Sequence, residues 1–213
     1  THYIVRSTLT GATTSDSVVI VDGAVVLQEG SIVPTSSFVS PIGTAFRAVR
    51  MEPEGTWFAS GANADAIDWV VMDGRVIAVT DTPIHSGATE LWDDAAFTST
   101  FFIHASNPNG DFVVGGTTNA AVGLANAVVV LNDERVILRE NDPVDLDNNG
   151  LFDDDTYVRT FIDDRCMLTN DAFYAVVRLR TGNAAFCAAT DTDIGQAVVR
   201  VSLGGGGCNI ADI

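Results

Sequence analysis

The chain has 213 residues, 46% of them hydrophobic and 18% charged, which is enough apolar material to build a substantial core. Its 28 acidic and 11 basic side chains leave a formal net charge of −17, which argues against nucleic acid or an anionic membrane surface as a partner. All the basic residues are Arg, so lysine Schiff-base chemistry and the P-loop lysine are excluded. No apolar run approaches the roughly 18 residues of a membrane-spanning helix, so no membrane insertion is expected.

Aromatic residues head four predicted β-strands at regular intervals along the chain. They are Tyr3, Trp57, Phe112 and Phe173, and the successive separations are 54, 55 and 61 residues. Such a spacing is difficult to obtain from unrelated loops, so it indicates an internal repeat.

A β-hairpin is predicted downstream of each of the first three aromatic residues. Segments 18–27, 69–78 and 128–138 each place short β-branched runs on both sides of an Asp-Gly or Asn-Asp turn. These turn residues tolerate the positive φ angles that a tight hairpin needs. No sustained helical period bounded by caps occurs, so an all-β fold is expected.

The repeat unit of about 55 residues has the size of a β-propeller blade, and segments such as 97–103 and 157–162 can supply its remaining strand. We therefore expect one all-β domain over 1–203, with units near 1–45, 46–100, 101–160 and 161–203. A propeller-like arrangement of blade-like units is the first interpretation, and a β-sandwich is the alternative. The first and last units look incomplete, so their ends either complete one another or present open edges to a neighbour.

A calcium-loop pattern begins at Asp145. It reads D-x-D-x-N-G, which places oxygen ligands at Asp145, Asp147 and Asn149 and a glycine for the sharp turn at position six. Segment 157–162 reads as a strand, so the loop lies in β structure and is no helix-loop-helix sensor. A solvated acidic turn without metal is the alternative, although its closely spaced carboxylates would repel one another.

Later positions of the loop complete the predicted ligand set. Leu151 would offer its backbone carbonyl and Asp153 the ninth position, while Thr156 replaces the usual bidentate Glu at position twelve. Asp154 or Asp155 is then needed to complete the site. The predicted calcium ligands are Asp145, Asp147, Asn149, Leu151, Asp153 and Asp155.

Two of the three cysteines, Cys166 and Cys187, lie 21 positions apart in segments that could run side by side. A disulfide between them would suit an oxidising compartment. Two buried thiols are the alternative interpretation.

No catalytic constellation emerges from the sequence, and we expect a protein that is not an enzyme. His2, His85 and His104 are scattered through unrelated segments without partners at metal-ligand spacing. The pairs at 93–94 and 163–164 are the available neighbouring carboxylates, and exposed loop residues are the ordinary interpretation of such pairs. A hydrolase would need two carboxylates facing each other across a cleft.

The tail at 207–213 reads Gly-Cys-Asn-Ile-Ala-Asp-Ile. It resembles the opening of the short C-terminal module in bacterial secreted proteins that are anchored by a GC-type dockerin domain. The Asp-Gly hairpins and the acidic loop are similar in style to the repeat region of such proteins. The resemblance implies an extracellular or cell-surface location, a Gly-rich tail over 204–213 that leads to a further module, and pairing of Cys208 with a cysteine there.

Three functions follow as hypotheses. The first is a secreted, calcium-stabilised structural subunit of a filament, layer or matrix, which self-associates through β-edges. The second is a propeller-like extracellular binding module for a glycan or a protein. The third is a hydrolase that uses the paired Asp residues as acid and base.

Overall fold

The described part of the chain forms four β-sheets that follow one another along the sequence, as seen in a computed structural model. The structure describes residues 1–11, 13–93, 99–120, 125–182, 192–204 and 208–210, with 44, 45, 192 and 208–210 described by their backbone alone. Every regular element in these ranges is a strand, which confirms the predicted all-β class. Over the same ranges, no helix exists that is long and apolar enough to cross a membrane.

Sheets I to III are antiparallel meanders whose neighbouring strands are consecutive in sequence. Sheet I contains β1 (Ile4–Thr8), β2 (Ser17–Val21) and β3 (Ala24–Gln28). Sheet II contains β4 (Ile42–Met51), β5 (Trp57–Asn63), β6 (Asp68–Met72) and β7 (Arg75–Val79). Sheet III contains β8 (Phe101–Ser106), β9 (Phe112–Thr117), β10 (Ala127–Leu131) and β11 (Arg135–Arg139).

Sheet IV has five strands in the order β12-β16-β15-β14-β13. They are β12 (Val144–Asp145), β13 (Thr156–Leu168), β14 (Ala172–Thr181), β15 (Thr192–Ser202) and β16 (Cys208–Ile210). Strand β13 crosses the predicted unit boundary at 160–161. Strand β16 lies in the segment that the sequence assigned to the tail, and it pairs antiparallel with β15 and parallel with β12.

The three predicted hairpins are confirmed as β2–β3, β6–β7 and β10–β11. Their turns adopt the positive φ angles expected from the sequence, with φ of 48° at Asp22, 49° at Asp73 and 55° at Asn132. Asp and Asn enter this left-handed region at lower cost than other residues with a side chain. Each hairpin contains one register shift, so β-bulges add twist to the outer half of each sheet.

The turn residues also fasten each hairpin to the aromatic residue of its unit. The backbone N–H groups of Tyr3, Trp57 and Phe112 donate to side-chain oxygens of Asp22, Asp73 and Asn132 at 2.9, 2.9 and 2.8 Å. The N–H of each turn residue donates back to the carbonyl of the same aromatic residue. The same turn conformation and the same pair of hydrogen bonds therefore recur in sheets I, II and III.

The sheets pack face to face through three apolar clusters. One cluster joins sheets I and II and includes Val19, Leu27 and Trp69. A second joins sheets II and III through Phe58, Val70 and Val128, and a third joins sheets III and IV. Both faces of sheets II and III are thus covered, whereas the described part of the chain packs no sheet on the far faces of sheets I and IV.

All four sheets are open arrays in which no strand order returns to its first strand. The separate sheets pack face to face in a sandwich-like manner. The described residues therefore form an all-β fold, and their sheets do not form a closed propeller ring.

Candidate metal centre

The acidic loop leaves the core at β12. Val144 and Asp145 form this two-residue strand, and both are fully buried. Val144 packs in the cluster between sheets III and IV, while Asp145 pairs in register with Asn209 of β16. The first residue of the calcium-loop pattern is therefore held by the sheet, and the following residues form the exposed loop.

Backbone N–H groups of the loop converge on the first carboxylate. Asn149 donates its N–H to Asp145 Oδ1 at 3.1 Å, and Gly150 donates to Asp145 Oδ2 at 2.7 Å. The same Asn149 N–H lies 3.1 Å from Asp147 Oδ1, so it is shared between two carboxylates. Gly150 adopts a φ of 86°, which only glycine enters without strain and which the predicted sharp turn requires.

Three carboxylates meet at the mouth of the loop. Asp145, Asp147 and Asp154 each place one oxygen within 4.8 Å of the others, so these residues could hold a metal ion. Asp154 Oδ2 also accepts the N–H of Leu146 at 2.6 Å, which ties the end of the loop to its beginning. Three like charges at this separation repel strongly, and a bound cation would remove that repulsion.

The structure brings together only part of the predicted ligand set. Asp145 and Asp147 converge as expected, and the third carboxylate is Asp154, whereas Asp153 and Asp155 lie outside this group. The run of three Asp at 153–155 offered no sequence signal for choosing among them, and in the structure Asp154 is the one bonded to the N–H of Leu146 and to the hydroxyl of Thr156.

The remaining predicted positions have structural partners inside the loop. Asn149 Oδ1 accepts the N–H of Leu151 at 2.7 Å, and the Asn149 amide donates to Asp147. Leu151 is exposed at the tip. Thr156 is buried at the start of β13 and donates its hydroxyl to the carbonyl of Asp154, so it positions the third carboxylate instead of acting as the twelfth ligand.

A second polar cluster surrounds Cys166, and the sequence did not reveal it. Arg50 of β4 donates to Cys166 Sγ at 3.3 Å and to its carbonyl at 3.0 Å, and it also pairs with Glu52. Burial raises the pKa of the Cys166 thiol to about 11, which leaves it protonated and a poor nucleophile at neutral pH. The predicted partner Cys187 lies outside the described residues, so the disulfide stays a prediction.

The three histidines occupy unrelated environments. His104 is buried beside the ring of Phe58, with centroids 6.0 Å apart, and its Nδ1 lies 3.7 Å from Asp164. His2 pairs with Asp22, while His85 is bonded to the carbonyl of Ser86. Each histidine thus has its own set of contacts.

A cavity of about 440 Å³ opens between strands β4, β8 and β13. Phe102 and Phe161 line it with rings stacked 5.6 Å apart, and Arg47, Glu140 and the pair at 163–164 supply polar groups. Of the other predicted carboxylate pair, Asp94 lies outside the described residues.

Comparison of the chain with protein-family models, with curated proteins and with solved structures gives no match. The functional interpretation therefore rests on the chain's own sequence and structure.

Proposed function

We propose that this protein is a secreted, calcium-stabilised structural subunit of an extracellular or cell-surface assembly. The observation that carries the proposal is the pair of partly exposed apolar faces, at the two ends of the stack, that no further sheet of the described residues covers. Val25 and Tyr3 on sheet I are 52% and 49% exposed, and Met167 on sheet IV is 52% exposed. Clustered apolar exposure of this kind marks interaction surfaces.

The arrangement of sheets supports a propeller-like interpretation in an open form. Each unit is a meander of three or four strands whose two faces pack against the units before and after it. Blade-like units in such a stack need a neighbour on each face, which a ring supplies internally and an assembly supplies from other copies.

Calcium is the ion that suits the acidic loop. All the available donors are oxygens, as hard divalent cations prefer, and the backbone follows the D-x-D-x-N-G turn of calcium loops. Calcium also takes six to eight ligands in flexible geometry, so water and backbone carbonyls can complete an irregular set. Because β12 joins the loop to sheet IV, an ion there would stiffen the outermost sheet.

An extracellular location is supported by the tail at 207–213, which resembles the start of the GC-type dockerin module of secreted bacterial proteins. This location also agrees with the proposed calcium loop, because the calcium loops of extracellular modules bind with weak affinity and work in millimolar calcium.

Thermal unfolding with calcium and with a chelator tests the metal part of the proposal. At a calcium concentration of 100 times Kd, binding stabilises the folded state by about 2.7 kcal/mol. For a chain of this size, the expected rise in Tm is on the order of 5 °C or more. Asp145→Asn should abolish the rise, while Asp65→Asn, at an exposed position between β5 and β6 of sheet II, should retain it. Equal Tm values with and without calcium for the unmodified chain would refute calcium stabilisation.

Sedimentation velocity and negative-stain microscopy of the whole chain test the structural role. The proposal expects concentration-dependent oligomers or fibres that grow in calcium and shorten in chelator. A chain that sediments as a monomer at every concentration, with calcium present, contradicts it.

The cavity lined by Phe102 and Phe161 supports a second candidate, a module that binds a glycan or a protein. Its mixture of aromatic rings, Arg47 and carboxylates is the chemistry of sugar recognition, in which rings stack on the sugar and polar groups bind hydroxyls. Glycan-array binding that disappears in Phe102→Ala, from a chain that stays monomeric, would favour this function over the first.

A further inference from the structure

The sheets within one molecule stack according to a positional rule. The aromatic residue near the start of β5, β9 and β14 faces the preceding sheet: Trp57 packs between sheets I and II, Phe112 between II and III, and Phe173 between III and IV. The next residue in each strand faces the following sheet, because side chains alternate along a strand. Phe58 and Val113 follow this rule.

The outer face of sheet I is the face that would contact a preceding sheet. Tyr3 stands where Trp57 stands in sheet II, with the same hydrogen bonds to its turn Asp. Val5 pairs with Ile20, and Ile20 pairs with Val25, so these residues share a face with Tyr3. Val5 is 44% exposed. We call Tyr3, Val5, Ile20 and Val25 the leading face.

The outer face of sheet IV is the face that would contact a following sheet. Tyr174 follows Phe173 as Phe58 follows Trp57, so it points toward the place of a following sheet. Met167 pairs with Tyr174, and Val176 pairs with Val198 in the same sheet. These four residues line one shallow, almost wholly apolar groove on the outer side of the sheet. We call Met167, Tyr174, Val176 and Val198 the trailing face.

Charge is distributed so that the trailing face can receive another acidic copy. Residues 156–203 contain five Asp and five Arg, so this segment is neutral although the chain carries −17. Arg165 lines the apolar groove and Arg200 pairs with Tyr174 at its border. The leading face has no acidic residue on its strands, and Asp16 and Asp22 stand at the two ends of β2. Arg at one border and Asp at the other are complementary.

We propose that the trailing face of one copy binds the leading face of a second copy, which continues between molecules the stacking that sheets I to IV follow within one. The proposal rests on the proposed function. It assigns the contact between copies to the faces of the sheets, whereas the sequence led us to expect pairing of strand edges. The two faces differ, so the contact is heterologous and each bound copy offers a new free face. Linear assemblies follow from that geometry.

Single charges placed on each face test the contact in the whole chain with calcium present. Val25→Glu blocks the leading face and Val176→Glu the trailing face, since a carboxylate buried there has no partner. For each variant alone, we expect the dissociation constant of self-association to rise about tenfold or more. Each variant should therefore be monomeric at concentrations at which the unmodified chain assembles. An equimolar mixture is expected to form dimers and nothing larger, because only one productive pair of faces remains.

Val39→Glu is the matched control, because Val39 is 93% exposed and belongs to neither face. It should assemble as the unmodified chain does. Circular dichroism and melting curves should show that all variants are folded, and the milder Tyr3→Ser and Met167→Ser should weaken assembly without a new charge.

Three results would overturn the proposal and can be told apart. An unmodified chain that never self-associates refutes the contact and the structural function together. Assembly that survives both Val25→Glu and Val176→Glu refutes the face contact alone and points to edge pairing. Loss of assembly in only one of these variants, or equally in Val39→Glu, indicates a symmetric contact or a general charge effect and refutes the heterologous stack.

Discussion

The turn residues Asp22, Asp73 and Asn132 each meet two local requirements at once. Their backbone adopts a positive φ, and their side chain accepts the N–H of the aromatic residue on the neighbouring strand. Only Asn and Asp combine a tolerated left-handed backbone with an acceptor of this length. The three hairpins therefore carry Asp or Asn at this position while the flanking residues differ.

Substitutions of Asp73 test whether the turn residue stabilises the hairpin through its side-chain hydrogen bond. Asp73→Ala removes the acceptor of the Trp57 N–H and places a less tolerant residue at a φ of 49°, so we expect a loss of about 1–2 kcal/mol. Asp73→Asn should change stability by less than about 0.5 kcal/mol, since Asn132 makes the same bond in sheet III. Chemical denaturation measures both, and equal losses would contradict the hydrogen-bond explanation.

Glu140 is a buried carboxylate at the end of the third hairpin. It is 8% exposed and accepts the N–H of Ala127 at 3.3 Å. Burial raises the pKa of its carboxyl above the ordinary value of 4.5. The folded state therefore binds this proton more tightly than the unfolded chain, and the associated stability is full below about pH 4.5 and is lost as the pH rises through the raised pKa.

Glu140→Gln should remove this loss because glutamine stays neutral and keeps an acceptor for Ala127. We expect the Tm of the variant to match that of the unmodified chain near pH 4 and to exceed it near pH 7. Glu134→Gln, at an exposed position, is the control and should show no such divergence. A Tm difference that is independent of pH would contradict the burial argument.

At the scale of the elements, the close approach of β8 to β9 explains why β9 contains two glycines. Gly115 and Gly116 lie side by side in this strand, and a Cβ on Gly115 would stand 2.7 Å from Ile103 Cβ on β8. That atom is attached directly to the backbone, so it cannot rotate away. The pair of glycines lets β8 and its large side chains lie against the middle of sheet III.

Gly115→Ala should therefore destabilise the protein by about 1–3 kcal/mol through overpacking. Gly11→Ala is the matched control, because a Cβ there meets no atom within 4 Å, and it should leave the Tm nearly unchanged. Thermal melting compares them directly. A Gly115→Ala variant as stable as the control would show that β8 moves freely on β9.

At the scale of the whole molecule, the charge of −17 opposes the compact state by self-repulsion. Sodium chloride shortens the range of that repulsion from about 30 Å at 0.01 M to about 8 Å at 0.15 M. We expect Tm to rise over this interval in the presence of chelator, with no divalent ion needed. A Tm independent of salt would show that the acidic groups are too dispersed to repel.

Local chemistry in the sequence determined the strands, the three hairpins and two of the three converging carboxylates. Alternation, Asp-Gly turns and the spacing of Asp145 and Asp147 act over a few residues, so the sequence alone expresses them. The position of Asp154 depends on its contacts with Leu146 and Thr156, and the clusters around Cys166 and around the cavity join strands more than fifty residues apart.

Only the tertiary structure decided how the units meet and what they leave uncovered. The sequence predicted four repeat units and open ends, and it placed self-association at β-edges. The packing of each sheet on the next shows in addition two apolar faces, at Tyr3 and at Tyr174, that follow the same alternation as the buried contacts between sheets, and it leaves the edge pairing a prediction. The physical reason is that strand formation depends on neighbours in sequence, whereas the burial of a face depends on which sheets are present in space.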